Sequence, residues 1–209
     1  NLAKYNMKLR DYQIELSNKG AEILQRLKIV YLAMEVRTGK TLTSLEIAKL
    51  YGAKNVLFLT KKKAIQSILN DYNAMQYSYN IVVINNESVH TINPKLFDLV
   101  ISDEHHRNAA FPKPNKVTKY IREHFGHLPM IFLSGTPTPE NYSQIFHQFW
   151  CSCYSPFREI NFYKWANNYV TKGTIYTSYG QAIDYSKAKQ EIIKPIIDRY
   201  MITFTQKEA

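Results

Sequence analysis

The chain has 209 residues, of which 45 % are hydrophobic and 21 % charged, so it should bury a sizeable core within one large domain or one and a half small ones. Its 27 Lys and Arg outnumber 17 Asp and Glu, for a net charge of +10, which suits a polyanionic partner, most commonly nucleic acid, or else a basic but inert surface. No apolar run reaches the roughly 18 residues that a membrane span needs, and no signal peptide is visible, which excludes a membrane partner.

The elements follow in chain order. Tyr12 to Leu27 spaces Ile14, Leu16, Ile23, Leu24 and Leu27 as a helix does. Ile29 to Ala33 is a short apolar run, the pattern of a strand buried on both faces. Thr41 to Leu50 predicts a second helix, Val56 to Leu59 a second strand and Ala64 to Tyr72 a weaker helix. Ile81 to Ile84, Leu99 to Ile101 and Met130 to Leu133 predict three more strands, with helices at Lys116 to Phe125 and Asn141 to Phe149. Alternating strands and helices make this an α/β fold, with a mostly parallel central sheet and helices on both faces. Ser155 to Tyr185 is rich in Tyr, Phe and Trp with weak periodicity, as in an irregular or helical insertion. A helix from Ser186 to Tyr200 then leads to Met201-Ile202-Thr203-Phe204.

Cys151 and Cys153 lie too close in sequence for an easy disulfide, and no nearby His or Cys completes a zinc set. They read as reduced structural thiols of an intracellular, cytoplasmic protein. The chain opens on Asn1 rather than Met, as a piece of a longer protein would.

Leu32-Ala33-Met34-Glu35-Val36-Arg37-Thr38-Gly39-Lys40-Thr41 lies between a strand and a helix start, which is where phosphates are cradled. Gly39 lets the backbone approach closely, Lys40 reaches the β and γ phosphates of ATP, and the Thr41 hydroxyl is placed to ligate Mg²⁺. The general motif asks for Gly where Met34 stands. The bland alternative is a lysine capping an ordinary turn. Further on, Phe97-Asp98-Leu99-Val100-Ile101-Ser102-Asp103-Glu104-His105-His106 is a strand ending in two carboxylates. Asp103 suits the Mg²⁺ shell, and Glu104 suits the base that orients the attacking water.

These two segments, with two others in order, resemble the superfamily-two helicases, specifically the Swi/Snf-like translocases, with small phage and bacterial members the nearest in look. The family writes its phosphate loop LADEMGLGKT, its acidic motif DEAH then Arg, its third motif near LTGTPIQNN and its start near LRPYQ. Here the counterparts are LAMEVRTGKT, then DEHH followed by Arg107-Asn108, then Leu133 to Asn141, and Leu9-Arg10-Asp11-Tyr12-Gln13. The resemblance implies a RecA-like phosphate-loop domain, the first lobe of a DNA-dependent ATPase, over residues 1–209. Within it lie an adenine-side region at 1–28, a phosphate-loop core at 29–154, the insertion at 155–185, and a closing helix and link at 186–209.

The resemblance also implies roles. Gln13, with Tyr12 and Arg10, would sit near the adenine or position the phosphate loop that includes Arg37, Thr38 and Gly39. Thr60, Lys61, Lys62 and Lys63 would contact one DNA strand, and Asn86 and Ser88 would belong to a second DNA-side motif. Ser134, Gly135 and Thr136 would couple nucleotide state to the DNA side, with His106 linking Glu104 to them. Arg37 stands where the family has glycine, and His105 where it has a small alanine. The partners implied are double-stranded DNA and a second RecA-like lobe, whose arginines complete the active site. No such arginine motif follows the third motif here, so the isolated lobe is expected to be a poor ATPase. Two other readings stand beside the motor: a nucleotide-gated binding module without turnover, and the motor of a restriction-type nuclease.

Overall fold

The computed structural model describes residues 7–209, so the first six residues of the expected 1–28 region lie outside the described residues. In chain order the elements are α1 (Asp11–Leu27), β1 (Ile29–Met34), α2 (Lys40–Tyr51), β2 (Asn55–Thr60), α3 (Ile65–Ala74), β3 (Asn80–Asn85), β4 (Leu99–Ser102), α4 (Lys116–Phe125), β5 (Met130–Ser134), α5 (Ile145–Trp150), α6 (Phe162–Tyr169), β6 (Gly173–Thr177), β7 (Gly180–Asp184), α7 (Gln190–Asp198) and β8 (Met201–Phe204). They fall into two compact units.

The first unit runs through Glu104 and adds Leu128–Gly135 and Tyr200–Ala209. Its sheet has six strands in the order β3-β2-β4-β5-β1-β8, and every pairing in it is parallel. The central strands β4 and β5 are buried at every residue, which is why they read as unbroken apolar runs rather than alternating ones. Val30, Leu32, Phe58, Ile101, Ile131 and Leu133 form the heart of one core cluster. Helices α1 and α2 pack closely because Gly20 has no side chain: a Cβ there would fall 2.4 Å from Ile47 Cδ1. The strand β8 corrects the expectation of a bare closing link, for Tyr31 to Met34 pair with Met201 to Phe204.

The second unit comprises His105–His127 and Thr136–Arg199, so it takes in much more than the expected insertion. Its interior is aromatic. Phe146 lies 5.3 Å from Trp165 and 5.9 Å from Phe162, while Phe157 meets Trp165 edge-on at 5.6 Å. Such offset and edge-to-face pairs match ring edges to ring faces. The segment from 155 to 185 holds one helix and an antiparallel hairpin, β6–β7, which its weak periodicity did not announce. The final helix is shorter than expected, because Thr171 N–H donates to Lys187 O and Lys189 N–H to Tyr169 O. That pairing holds 187–189 extended before α7 begins.

Two histidines are locked neutral inside this unit. His105 Nε2 lies 2.7 Å from Gln148 O, and His147 Nδ1 lies 2.7 Å from Ala110 O. Burial pushes their pKa values down to about 3 and about 4. In the unfolded chain both would titrate near about 6.5. As pH falls below that value the unfolded chain takes up protons that the folded chain refuses, so stability present above about 6.5 is progressively lost. The urea midpoint should therefore hold steady from about pH 8 to 7 and fall between about 6.5 and 5, above the range of ordinary carboxylates. A midpoint flat across the lower interval would contradict neutral burial of these rings.

Candidate nucleotide-binding site

The loop between β1 and α2 is built by backbone conformation. Gly39 has φ 80°, in the left-handed region, and a Cβ there would meet Gln13 Nε2 at 2.1 Å. Both favour glycine. Gln13 is itself buried, and its Oε1 accepts the Arg10 backbone N–H at 2.8 Å. The Tyr12 hydroxyl donates to Thr38 O at 3.1 Å, and its ring stacks on Phe204 at 4.7 Å. The start of α1 therefore bears directly on the loop, Arg10 through its backbone. Thr38 is fully buried, and its hydroxyl donates to Glu35 O at 2.7 Å, bracing the turn.

Lys40 opens α2 and turns back into the loop, donating to Met34 O at 2.8 Å and Glu35 O at 3.1 Å. Burial pulls its pKa below the usual lysine value, against the nearby charges of Asp103 and Glu104, which pull it up. Thr41 sits half-buried in the first turn of the helix. Arg37 is exposed and adopts φ 66°, in the left-handed region that favours glycine. An L-residue held there costs about 1–2 kcal/mol.

The acidic motif leaves the end of β4. The Thr60 hydroxyl donates to Asp103 Oδ2 at 2.8 Å, and the Glu104 N–H donates to Oδ1 at 2.9 Å. Burial still raises the Asp103 pKa; the Thr60 bond and Lys40 pull it down while Glu104 pushes it up. Glu104 adopts φ 52° and pairs with Lys61 Nζ at 3.2 Å, both side chains being half-exposed. Strand β5 pairs with β1 on one side and β4 on the other, so the third motif emerges between loop and carboxylates. A Cβ on Gly135 would lie 3.9 Å from Lys40 Nζ.

The other expected residues fall as follows. Thr60 departs from a DNA-contacting role: it is fully buried at the end of a central strand, with its hydroxyl committed to Asp103. Asn86 is likewise buried, and its amide donates to Thr60 O at 3.0 Å, which ties two strand ends together. Ser88 is half-buried and donates to Asn85 Oδ1 at 2.8 Å, while Lys62 and Lys63 are exposed in a short 3₁₀ turn. Ser134 is buried and, with Gly135, belongs to the first unit; Thr136 and His106 belong to the second.

Three hydrogen bonds onto the loop were not foreseen. Glu35 N–H donates to Phe204 O at 2.9 Å, Gln206 N–H to Glu35 Oε2 at 2.7 Å, and Gln206 Nε2 to Val36 O at 2.7 Å. The segment after β8 thus clasps the loop from about 170 positions away in sequence. No local pattern marks such a contact.

Residues 6–80 match the family described as Type III restriction enzyme, res subunit, which covers the loop and β2 but not the acidic or third motif. No curated protein matches the chain. The SWI2/SNF2 ATPase core of Sulfolobus solfataricus, solved in complex with dsDNA, superposes with a TM-score of 0.71 at 16 % identity, over 98 % of this chain and 46 % of that one. The Hef helicase domain of Pyrococcus furiosus superposes with a TM-score of 0.54 at 17 % identity, over 68 % of this chain and 36 % of that one. The chain therefore spans less than half the length of either structure. Its fold is therefore that of a RecA-like α/β lobe, as in those two structures.

Thr60→Val keeps the shape of the side chain and removes the donor to a buried carboxylate. The variant should lose about 1.5–3 kcal/mol of stability at neutral pH. Its Asp103 carboxyl should also titrate at higher pH than in the wild type, because a bond to the charged form lowers pKa and its loss raises it. Carboxyl-carbon NMR across an acid titration reads this, and an unmoved Asp103 resonance would separate the hydroxyl from the carboxylate.

Proposed function

We propose that this chain is the first ATP-binding lobe of a nucleic-acid motor that couples ATP hydrolysis to movement along duplex DNA. One observation carries the reading: β5 pairs with β1 and with β4, so the loop before Lys40 and the carboxylates Asp103 and Glu104 leave the same edge of the sheet, although more than 60 residues separate the two motifs. Two carboxylates beside a half-buried lysine, next to a helix start whose preceding residue is glycine, suit a nucleoside triphosphate and its metal.

The residues fit both. Lys40 already takes two carbonyl oxygens within hydrogen-bond distance, so its ammonium is directed where phosphate oxygens would compete for it. Gly39 keeps the loop backbone open to close approach. Among the described residues no three His, Cys, Asp or Glu converge, and magnesium needs no such cage when phosphate oxygens supply much of its shell. Thr41 and Asp103 would hold it, and when bound it neutralises charge that develops on the phosphates. Glu104 would take the proton of the attacking water or orient that water. Lys61, paired with Glu104, would neutralise DNA phosphates together with Lys62 and Lys63, and Gly135 beside Lys40 would carry the nucleotide state outward. The arginines of a second lobe would complete the site, so this lobe by itself would turn over poorly. The match of residues 6–80 to a restriction-enzyme subunit favours one setting for such a motor, a restriction-type enzyme.

Lys40→Ala should weaken binding of a fluorescent ATP analogue by about 1.5–3 kcal/mol, the worth of a hydrogen bond to a charged group. Equal affinity in wild type and variant would remove the loop from nucleotide binding. With a second lobe present, Glu104→Gln should abolish most turnover and leave nucleotide affinity within a few fold, since a water-orienting base acts mainly in the transition state. Turnover near the wild-type rate would exclude Glu104 from the chemistry.

A further inference from the structure

The second unit contains an aromatic segment whose buried half is explained by packing and whose exposed half is not. Phe157, Phe162 and Trp165 lie in the core, and Tyr185 leans edge-on against Phe162 at 5.4 Å. The Ser143 hydroxyl bonds to Tyr185 O. These contacts, with the extended pairing of 169–171 and 187–189, anchor the base of the β6–β7 hairpin.

Beyond that base the hairpin is uncovered on both faces, for its central residues Thr174 to Thr177 and Gly180 to Ile183 are all exposed. It nonetheless carries Ile175, Tyr176, Tyr179 and Ile183, with Tyr176 81 % and Tyr179 99 % exposed. A two-stranded hairpin displaying such side chains is unusual unless something covers them. It is also held in shape. Thr177 Oγ1 donates to Gly180 O at 2.9 Å, Tyr179 N–H donates to Thr177 Oγ1 at 3.2 Å, and Gln181 Nε2 donates to the Tyr176 hydroxyl at 3.0 Å. Gly180 takes φ 110° to close the turn. The tip therefore presents its rings with little ordering left to do.

The charge around it selects the occupant. Lys172, Lys187 and Lys189 flank the hairpin, and its one acid, Asp184, accepts the Ser186 N–H at 2.9 Å. Phosphate attraction at the base and flat aromatic rings at the tip are the two components of a surface for unpaired nucleotides. A protein partner would be served by the isoleucines but would give no reason for the lysine excess.

We propose that the β6–β7 hairpin binds single-stranded nucleic acid, with Tyr176 and Tyr179 stacking on unpaired bases while Lys172, Lys187 and Lys189 neutralise backbone phosphates. The proposal deepens the nucleic-acid reading above and rests on it. The experiment uses a labelled single-stranded oligonucleotide and a blunt duplex of the same sequence, each titrated against the whole chain. Tyr176→Ala/Tyr179→Ala should weaken single-strand binding by about tenfold or more, in line with the stacking loss per base. Duplex binding, the ATP-analogue affinity and the thermal midpoint should stay unchanged, because neither ring is packed. Tyr176→Phe/Tyr179→Phe should restore single-strand affinity. Equal single-strand binding by wild type and the double-alanine variant overturns the hairpin proposal while duplex binding leaves the motor reading in place. Wild-type chain that binds neither oligonucleotide nor duplex overturns both. Self-association of the wild type that the alanine variant abolishes, with oligonucleotide binding intact, makes the hairpin a contact between copies and overturns the proposal too.

Discussion

The first unit depends on one piece of hydrogen bonding: β5 is inserted between β1 and β4. Val30 pairs with Ile131 on one side, and Ile101 pairs with the same Ile131 on the other. Neighbouring strands lie about 4.8 Å apart, so the ends of β1 and β4 are separated by roughly 10 Å. Lys40, after β1, and the two carboxylates, after β4, therefore leave the sheet on either side of β5 and within reach of each other's charge. The gap also fixes Gly135 between them. Parallel strands are what make the arrangement possible, since all three loops leave the same edge of the sheet.

Around this gap the loop is held by side chains brought onto it from distant parts of the chain, together with the Lys40 ammonium. Gln13 fills the space a Gly39 side chain would need, Tyr12 and Phe204 stack beneath it, and Gln206 clasps Glu35 and Val36. This bracing is consistent with Arg37 in a glycine conformation. A residue in the left-handed region persists when its surroundings leave no alternative. Glu104 is another such residue, as are Lys28 and Gln76 elsewhere, and the hydrogen bond from its N–H to Asp103 helps to hold it there. Two of the four left-handed non-glycine residues thus belong to the loop after β1 and the motif after β4.

The second unit follows different rules. Its interior is made of rings that pair edge to face, and its buried histidines serve as neutral hydrogen-bonding groups rather than as titrating ones. His105 is an instance: its Nε2–H reaches Gln148 O, and its Nδ1 accepts from Asn108 Nδ2 at 3.2 Å. The imidazole next to Glu104 in sequence is therefore a core side chain of this unit. Arg122 continues the theme, with its guanidinium 4.3 Å over the Trp150 ring.

The sequence by itself determined the parallel sheet and the placing of its first five strands. Four of those are apolar runs buried almost throughout, the edge strand β3 is apolar though partly exposed, and such runs leave a strong local signal. It also determined the candidate residues Gly39, Lys40, Asp103 and Glu104, because each closes or follows a strand within a short motif. Tertiary structure alone decided the rest. Strand β8 is four residues long with only Ile202 fully buried, too short to show a period, and it exists because β1 offers it an edge. The hairpin is exposed on both faces and so lacks the alternation by which strands are recognised; its turn residues Ser178, Tyr179 and Gly180, between short runs of Thr, Ile and Tyr, were the one available cue. The roles of Thr60 and Asn86 were decided the same way. A threonine before three lysines reads as part of a basic surface, yet its place at the end of a central strand buries it against Asp103. Burial depends on which strands become neighbours, and a strand order is a property of contacts far apart in the chain.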